Sequence, residues 1–168
     1  MLRSWLARSL CTFRARPMGT EGPSAAIVSI GNDAGDLDSL VSSIAIANWR
    51  PIGGTDNRAP LWLPVAPFAR SDFRLRQDAC LLFGHLGLEF DEVGAPTDLM
   101  HIDEVDAGTV ASWRDAGGLG VALVDHNACL PGAASIFGER VVAIVDHHND
   151  ERCHLGSQIG RASCRERV

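Results

Sequence analysis

The feature that most restricts this chain is a set of short apolar runs that lead straight into aspartates. "AAIVSI" (25–30) runs into Gly31-Asn32-Asp33-Ala34-Gly35-Asp36, "GVALVD" (120–125) ends on Asp125, and "RVVAIVD" (140–146) ends on Asp146. The runs are apolar at nearly every position and rich in β-branched residues. A strand with one wet face would alternate instead, so these runs predict strands covered on both faces. Further strands are expected at "LWLPVA" (61–66), despite Pro64, and at "DLMHID" (98–103). Helical stretches fall between them. One spans 39–49, with Ser39 near its start and Pro51 beyond its end. A second spans 71–88, with Phe73, Cys80, Leu81 and Phe83 among its apolar positions and Gly84 or Gly87 at its end. A third spans 107–118 and closes on Gly117 and Gly118. The segment between 48 and 60 reads as a loop. Alternation of this kind predicts an α/β fold: a Rossmann-like, mostly parallel sheet with helices on both faces.

In a parallel sheet the carboxyl ends of all strands point to one edge, and ligands bind there. Three of the expected strands deliver polar chemistry to that edge. The first brings Asn32, Asp33, Asp36 and Asp38, the next Asp125-His126-Asn127, and the last Asp146-His147-His148. Carboxylates brought together raise one another's pKa, and a divalent cation removes that conflict. Alone, a D-x-D turn is a cap or a solvated loop, and a lone D-H-H says as little. All three directly after apolar strands point to metal. Carboxylates with one or two imidazoles suit Mn²⁺ or Mg²⁺, whereas zinc would bring more His or Cys. Asp36 and Asp38 are one residue apart, so they can serve two different ions, with a third carboxylate bridging the pair.

Charge and cysteine content narrow the function classes. The net charge is −6, yet residues 1–20 hold Arg3, Arg8, Arg14 and Arg16 and no acid. The remainder therefore carries about −10, which argues against duplex nucleic acid as a partner. Phosphates can still bind an acidic body if metal ions supply the positive charge. The chain has no lysine, which excludes a P-loop lysine. Its five cysteines are odd in number and include no C-x-x-C pair, so no disulfide framework is expected and a reducing compartment is the default. No apolar run is long enough to span a bilayer, so no membrane partner is expected. "MLRSWLARSLCTFRARPM" (1–18) can place Leu2, Trp5, Leu6, Leu10 and Phe13 on one helix face. It reads either as a mitochondrial or other organellar transit peptide or as a disordered basic start to a cytoplasmic protein. The last eight residues, "RASCRERV", break the composition and read as a tail.

In this order, "GNDAGDLDS", "VDHN" and "VDHH" resemble the first three motifs of the DHH phosphoesterase superfamily. Family II pyrophosphatases and RecJ-type exonucleases commonly carry His where Asn32 stands. The Asn form is similar to the exopolyphosphatase and prune branch. The resemblance covers roughly residues 25–150. It implies that Asp36 holds one ion, with Asn32 as a weaker ligand or a supporting group, and that Asp38 holds the other. Asp125 would bridge both, His147 would bind the second ion, and His148 would face the substrate phosphate. Asp146 would orient His147, while His126 and Asn127 would support. Arg70 and Arg76 flank a helix start, and their fork-shaped donors suit phosphate. The alternative for both is an exposed helix face. His101, Asp103 and Glu104 are expected to be structural, and His85 and His154 incidental.

The activity implied is a metal-dependent phosphoanhydride hydrolase, most like an exopolyphosphatase that releases terminal phosphate from polyphosphate. Inorganic pyrophosphatase and short-oligonucleotide phosphodiesterase are the enzyme alternatives. A non-catalytic module that binds metal and a partner is the alternative of another class. No protein partner is indicated. The family's fourth-motif Asp has no clear counterpart before Val168, since Asp150 lies too near His148. The expected plan is a basic extension (1–24), a DHH-type domain (25–155) and a tail (156–168), with the C-terminal DHH-associated domain absent. Such a chain alone would turn over slowly or not at all.

Overall fold

The structure is a computed structural model that describes residues 2–15, 23, 25–48, 59–149, 151, 153–154 and 158–161. Most of the expected loop before residue 60, Asp150 and the end of the chain beyond Arg161 lie outside the described residues.

Five elements along the chain come from the apolar runs: β1 (Ala26–Ile30), β2 (Leu61–Ala66), β3 (Met100–His101), β4 (Leu119–Val124) and β5 (Val141–Asp146). A sixth strand, β6 (Gln158–Arg161), falls in the stretch read as a tail. They form one sheet in the order β3-β2-β1-β4-β5-β6, and every neighbouring pair is parallel. The Rossmann-like expectation therefore holds. Burial follows the sequence logic at the centre, where β4 is buried at all six positions, but β5 departs from it and is buried only at Ile144 and Asp146, nearer the edge of the sheet. Pro64 is accommodated because β3 pairs with β2 only from Val65 onward, leaving Pro64 on a stretch with one bonded neighbour.

The helices are α1 (Leu2–Ala15), α2 (Leu37–Asn48), α3 (Gln77–His85), α4 (Ala107–Asp115) and α5 (Pro131–Phe137). Two apolar clusters fill the interior. One joins Val110 and Trp113 of α4, and Ala133 and Phe137 of α5, to the strands. The other joins Leu40 and Ile44 of α2, and Ala79 and Phe83 of α3, to Ala66 and Phe68. The expected face of the first helix is real: Leu6 enters the second cluster, Leu10 and Phe13 the first. Phe13 stacks on Trp113 with centroids 6.1 Å apart, and the Trp113 indole N–H donates to the Phe13 carbonyl at 3.1 Å. Among the described residues, no helix is long and apolar enough to cross a membrane.

Two elements differ from expectation. The helix expected over 71–88 is a 3-10 turn (Arg70–Leu75) followed by α3, broken at Arg76, whose φ of −100° and ψ of 76° are not helical. The chain leaves α3 through Gly87 at φ +78°, the left-handed conformation that glycine adopts without cost. The strand expected over 98–103 shrinks to two residues. Glu104 reaches back to the His101 backbone N–H, and this box turns the chain into a 3-10 turn at Ile102–Glu104.

Candidate metal centre

The strand order reverses direction between β1 and β4. That switch point opens a crevice at the carboxyl edge, because the chain leaves the two neighbouring strands to opposite sides. The loop after β1 and the turn after β4 meet there.

The first loop is shaped by its own residues. The Asn32 backbone N–H donates to Ser39 Oγ at 2.8 Å. Gly31 makes room for this hydroxyl, since a Cβ on Gly31 would lie 2.2 Å from Ser39 Oγ. Gly35, at φ +58°, turns the chain, and its N–H is shared by the Asn32 carbonyl at 3.0 Å and the Asn32 side-chain oxygen at 3.1 Å. The Asp36 carbonyl then accepts from Leu40 N–H as α2 begins. Asp36 and Asp38 thus sit at a helix N-terminus, where negative charge is favoured.

Asp125 follows β4 with φ +62°, the one described non-glycine residue in the left-handed region. Such strain in a non-glycine residue persists only where the surroundings enforce it, and it concentrates at functional sites. Here its N–H is held by the Val145 carbonyl of β5 at 2.8 Å. One carboxylate oxygen, Oδ1, faces His147 Nε2 at 3.0 Å and His148 Nδ1 at 3.9 Å. The other, Oδ2, accepts from the Asn32 amide at 2.8 Å, and that amide also reaches Asp36 Oδ1 at 3.4 Å.

Two groups of ligand atoms result, Asp36–Asp38–Asp125 and Asp125–His147–His148, each with its atoms within 4.8 Å of one another. Asp125 belongs to both. Hard carboxylate oxygens with imidazole nitrogens are a donor set that holds a divalent cation. Electrostatics agree: burial, then the charges of Asp38 and Asp125, raise the Asp36 pKa.

Asp146 has the opposite environment. Burial alone would raise its pKa, but hydrogen bonds from the His148 ring, the His148 backbone and Asn127 outweigh it and lower the value. His148 Nδ1 lies 2.7 Å from Asp146 Oδ1, and this hydrogen bond raises the imidazole pKa. This corrects the expectation that Asp146 orients His147. It holds His148, because the turn after β5 directs His147 to Asp125 instead. Asn127 is buried and donates to Asp146 and to the Asn149 carbonyl at 2.9 Å, while accepting from Glu151 N–H at 3.0 Å. His126 Nδ1 stays 2.9 Å from the Val124 carbonyl.

The two arginines are placed differently from the phosphate-binding expectation. Arg70 is committed to Asp91, Glu104 and the Leu99 and Pro96 carbonyls, and its own N–H donates to Asp103 at 3.0 Å. It pins the segment before β3, which folds back on itself through an antiparallel bridge between Phe90 and Pro96. Arg76 donates to the Gly35 and Ala34 carbonyls, each at 2.7 Å. Asp103 and Glu104 are structural, as expected. His101 is fully buried, with Nδ1 3.3 Å from the Phe68 carbonyl. Sequence reasoning missed the roles of Gly31, Gly35 and Phe68. The two glycines stand inside the quoted motif, but Phe68 has no local signal.

The chain is similar to proteins named exopolyphosphatase PRUNE1. It is 30% identical to the one from Rattus norvegicus over 137 residues, 79% of this chain and 28% of that protein. The Mus musculus protein is 31% identical over 138 residues, and the Bos taurus protein 30% over 137, with the same shares covered. The chain thus spans little more than a quarter of the length of the curated relatives it matches. No family model matches the chain.

Proposed function

We propose that this chain is the metal-binding domain of a DHH-type phosphoesterase of the exopolyphosphatase and prune branch, acting on the terminal phosphoanhydride of polyphosphate. The observation that carries the reading is Asp125, a residue with left-handed backbone that belongs to both ligand groups, with Oδ1 facing His147 and Oδ2 held by the Asn32 amide. The similarity to exopolyphosphatase PRUNE1 supports the choice of substrate.

Asp36, Asp38 and Asp125 would hold one Mn²⁺ or Mg²⁺, instead of Asp36 and Asp38 serving different ions as the resemblance implies, because the three group together; Asn32 would steady Asp36 and Asp125. Asp125 and His147 would hold the second ion. When bound, two divalent cations acidify the attacking water and neutralise charge on phosphate oxygens. His148, with Nδ1 held by Asp146, offers Nε2 to a phosphate oxygen. Asn127 keeps Asp146 in place for that task. Asp36, Asp38, Asp125 and His147 would thus serve ion binding, and His148, oriented by Asp146, substrate binding.

Calorimetric titration with Mn²⁺ and Mg²⁺ tests the first half, and orthophosphate release from polyphosphate, pyrophosphate and a short oligonucleotide tests the second. The expected result is two ions per chain and slow, metal-dependent release from polyphosphate that Asp125→Asn abolishes. Faster release from pyrophosphate or the oligonucleotide would reassign the substrate. Two ions bound with no release from any of the three would favour the metal- and partner-binding module. No ion bound would overturn the reading.

A further inference from the structure

We propose that Arg76 is a positioning residue for the metal loop: stacked on Phe68, it clamps the Ala34 and Gly35 carbonyls and so sets Asp36 and Asp38 before any ion arrives. The inference rests on the metal-binding reading above, but it assigns Arg76 a different task from substrate binding.

The clamp has three parts. Nε of Arg76 donates to the Gly35 carbonyl and Nη2 to the Ala34 carbonyl, both at 2.7 Å, a fork of two parallel contacts that lysine cannot reproduce. The guanidinium carbon lies 3.5 Å from the centre of the Phe68 ring, so the fork is stacked as well as bonded. Phe68 is itself fixed from behind, with Phe73 at 6.1 Å and the ring of His101 at 5.7 Å. His101 meanwhile holds the Phe68 carbonyl.

The third part is Gly35. A Cβ there would lie 2.4 and 2.5 Å from two Phe68 ring carbons and 3.0 Å from Arg76 Nε. The loop backbone is therefore pressed against the stacked pair as closely as a backbone can be. The break between the 3-10 turn and α3 belongs to the same device. Arg76 stands outside helical geometry at that junction, and its side chain crosses to a loop 41 residues earlier in the chain.

The need for a clamp follows from the charges. Asp36 lies directly after Gly35, and Asp38 and Asp125 repel it. Without an ion, that repulsion favours an open loop. A cation bonded to the two preceding carbonyls opposes the opening, so an incoming ion finds its ligands already gathered. Residues that orient metal ligands without touching the metal typically change affinity about 10–100-fold when removed.

The test is Mn²⁺ titration, by calorimetry and electron paramagnetic resonance, of the parent, Arg76→Lys and Arg76→Gly. The expected result is that Arg76→Gly weakens the ion held by Asp36 and Asp38 by about tenfold or more, leaves the ion at His147 nearly unchanged, and regains affinity with added ethylguanidinium. Arg76→Lys should fall between the two. Should the glycine variant not fold, the lysine variant carries the test alone. Parent-like Mn²⁺ affinity with a raised KM would overturn the clamp and return Arg76 to substrate binding. Equal weakening of both ions, without rescue, would also overturn it, since that pattern reports general loosening. A parent that binds no Mn²⁺ instead fails the proposed function itself, so the two failures are distinguishable.

Discussion

Asp36 and Asp146 each lie beside the end of an apolar strand, yet their environments are opposed. Asp36 is crowded by Asp38 and Asp125, and its pKa is raised. Asp146 is surrounded by donors from His148 and Asn127, and its pKa is lowered. The first belongs to a group of like charges whose repulsion a cation would offset. The second is completed by the protein. The two ligand groups differ in construction as well. Asp36 and Asp38 lie on one continuous turn shaped by Gly31, Asn32, Gly35 and Ser39. His147 and His148 reach Asp125 only because β4 and β5 run parallel in the observed register. One group is a local motif; the other is a product of the sheet.

Asp125→Asn should break both groups at once and give the largest effect. The metal-free protein should be nearly as stable as the parent, since Asn tolerates the left-handed conformation at φ +62°. The stabilisation by Mn²⁺, about 2.7 kcal/mol at a hundredfold excess over Kd for one site, should vanish in thermal unfolding. A parent-like response to Mn²⁺ would show that Asp125 is not shared.

Asn127→Ala should separate the groups. It takes the donor from Asp146 Oδ2, while His148 stays on Oδ1, and removes the partner of two backbone groups, at a cost of about 1–3 kcal/mol in metal-free stability. Urea unfolding reads that loss. Mn²⁺ titration should then show the Asp36–Asp38 ion retained, since Asn127 acts on Asp146 and through it on His148. Loss of both ions together would mean that the groups are less independent than their construction suggests.

The local turn has its own test. Gly31→Ala places a Cβ against Ser39 Oγ and should cost about 1–3 kcal/mol by overpacking. Ser39→Ala alone loses the Asn32 N–H bond, at about 1 kcal/mol. Combined, the two should cost less than their sum, because the second removes the atom that the first strikes. An additive double mutant would place the conflict elsewhere.

The smallest effect lies away from both groups. His101 has a pKa lowered by burial and then by the nearby Arg70 charge. As pH falls below the ordinary value of 6.5, the unfolded chain takes up a proton that the folded one refuses, so stability declines until the lowered folded value is reached. His101→Asn keeps a donor for the Phe68 carbonyl and should flatten this part of the profile between pH 7.5 and 5.5 in urea unfolding, relative to the parent. An unchanged slope would assign the pH dependence to other groups.

Strand positions and the convergence of aspartates at one edge were legible in the sequence, because continuous apolar runs need two covered faces and parallel strands share one carboxyl end. The nine residues from Gly31 to Ser39 determined their own turn for the same local reason: glycines, an amide and a hydroxyl bond one another within a few residues. What lies far apart in the chain was decided by tertiary structure alone. Arg70 and Arg76 look alike in sequence, six positions apart. One is bound by acids and carbonyls from the segment before β3 and the turn after it; the other reaches across to Ala34 and Gly35. Likewise, D-H-H does not say which histidine Asp146 will hold. That depends on how the turn after β5 faces Asp125, and hence on the β4–β5 register. Side-chain identity sets what a residue can bond to, and only the packed sheet sets which partner comes within about 3 Å.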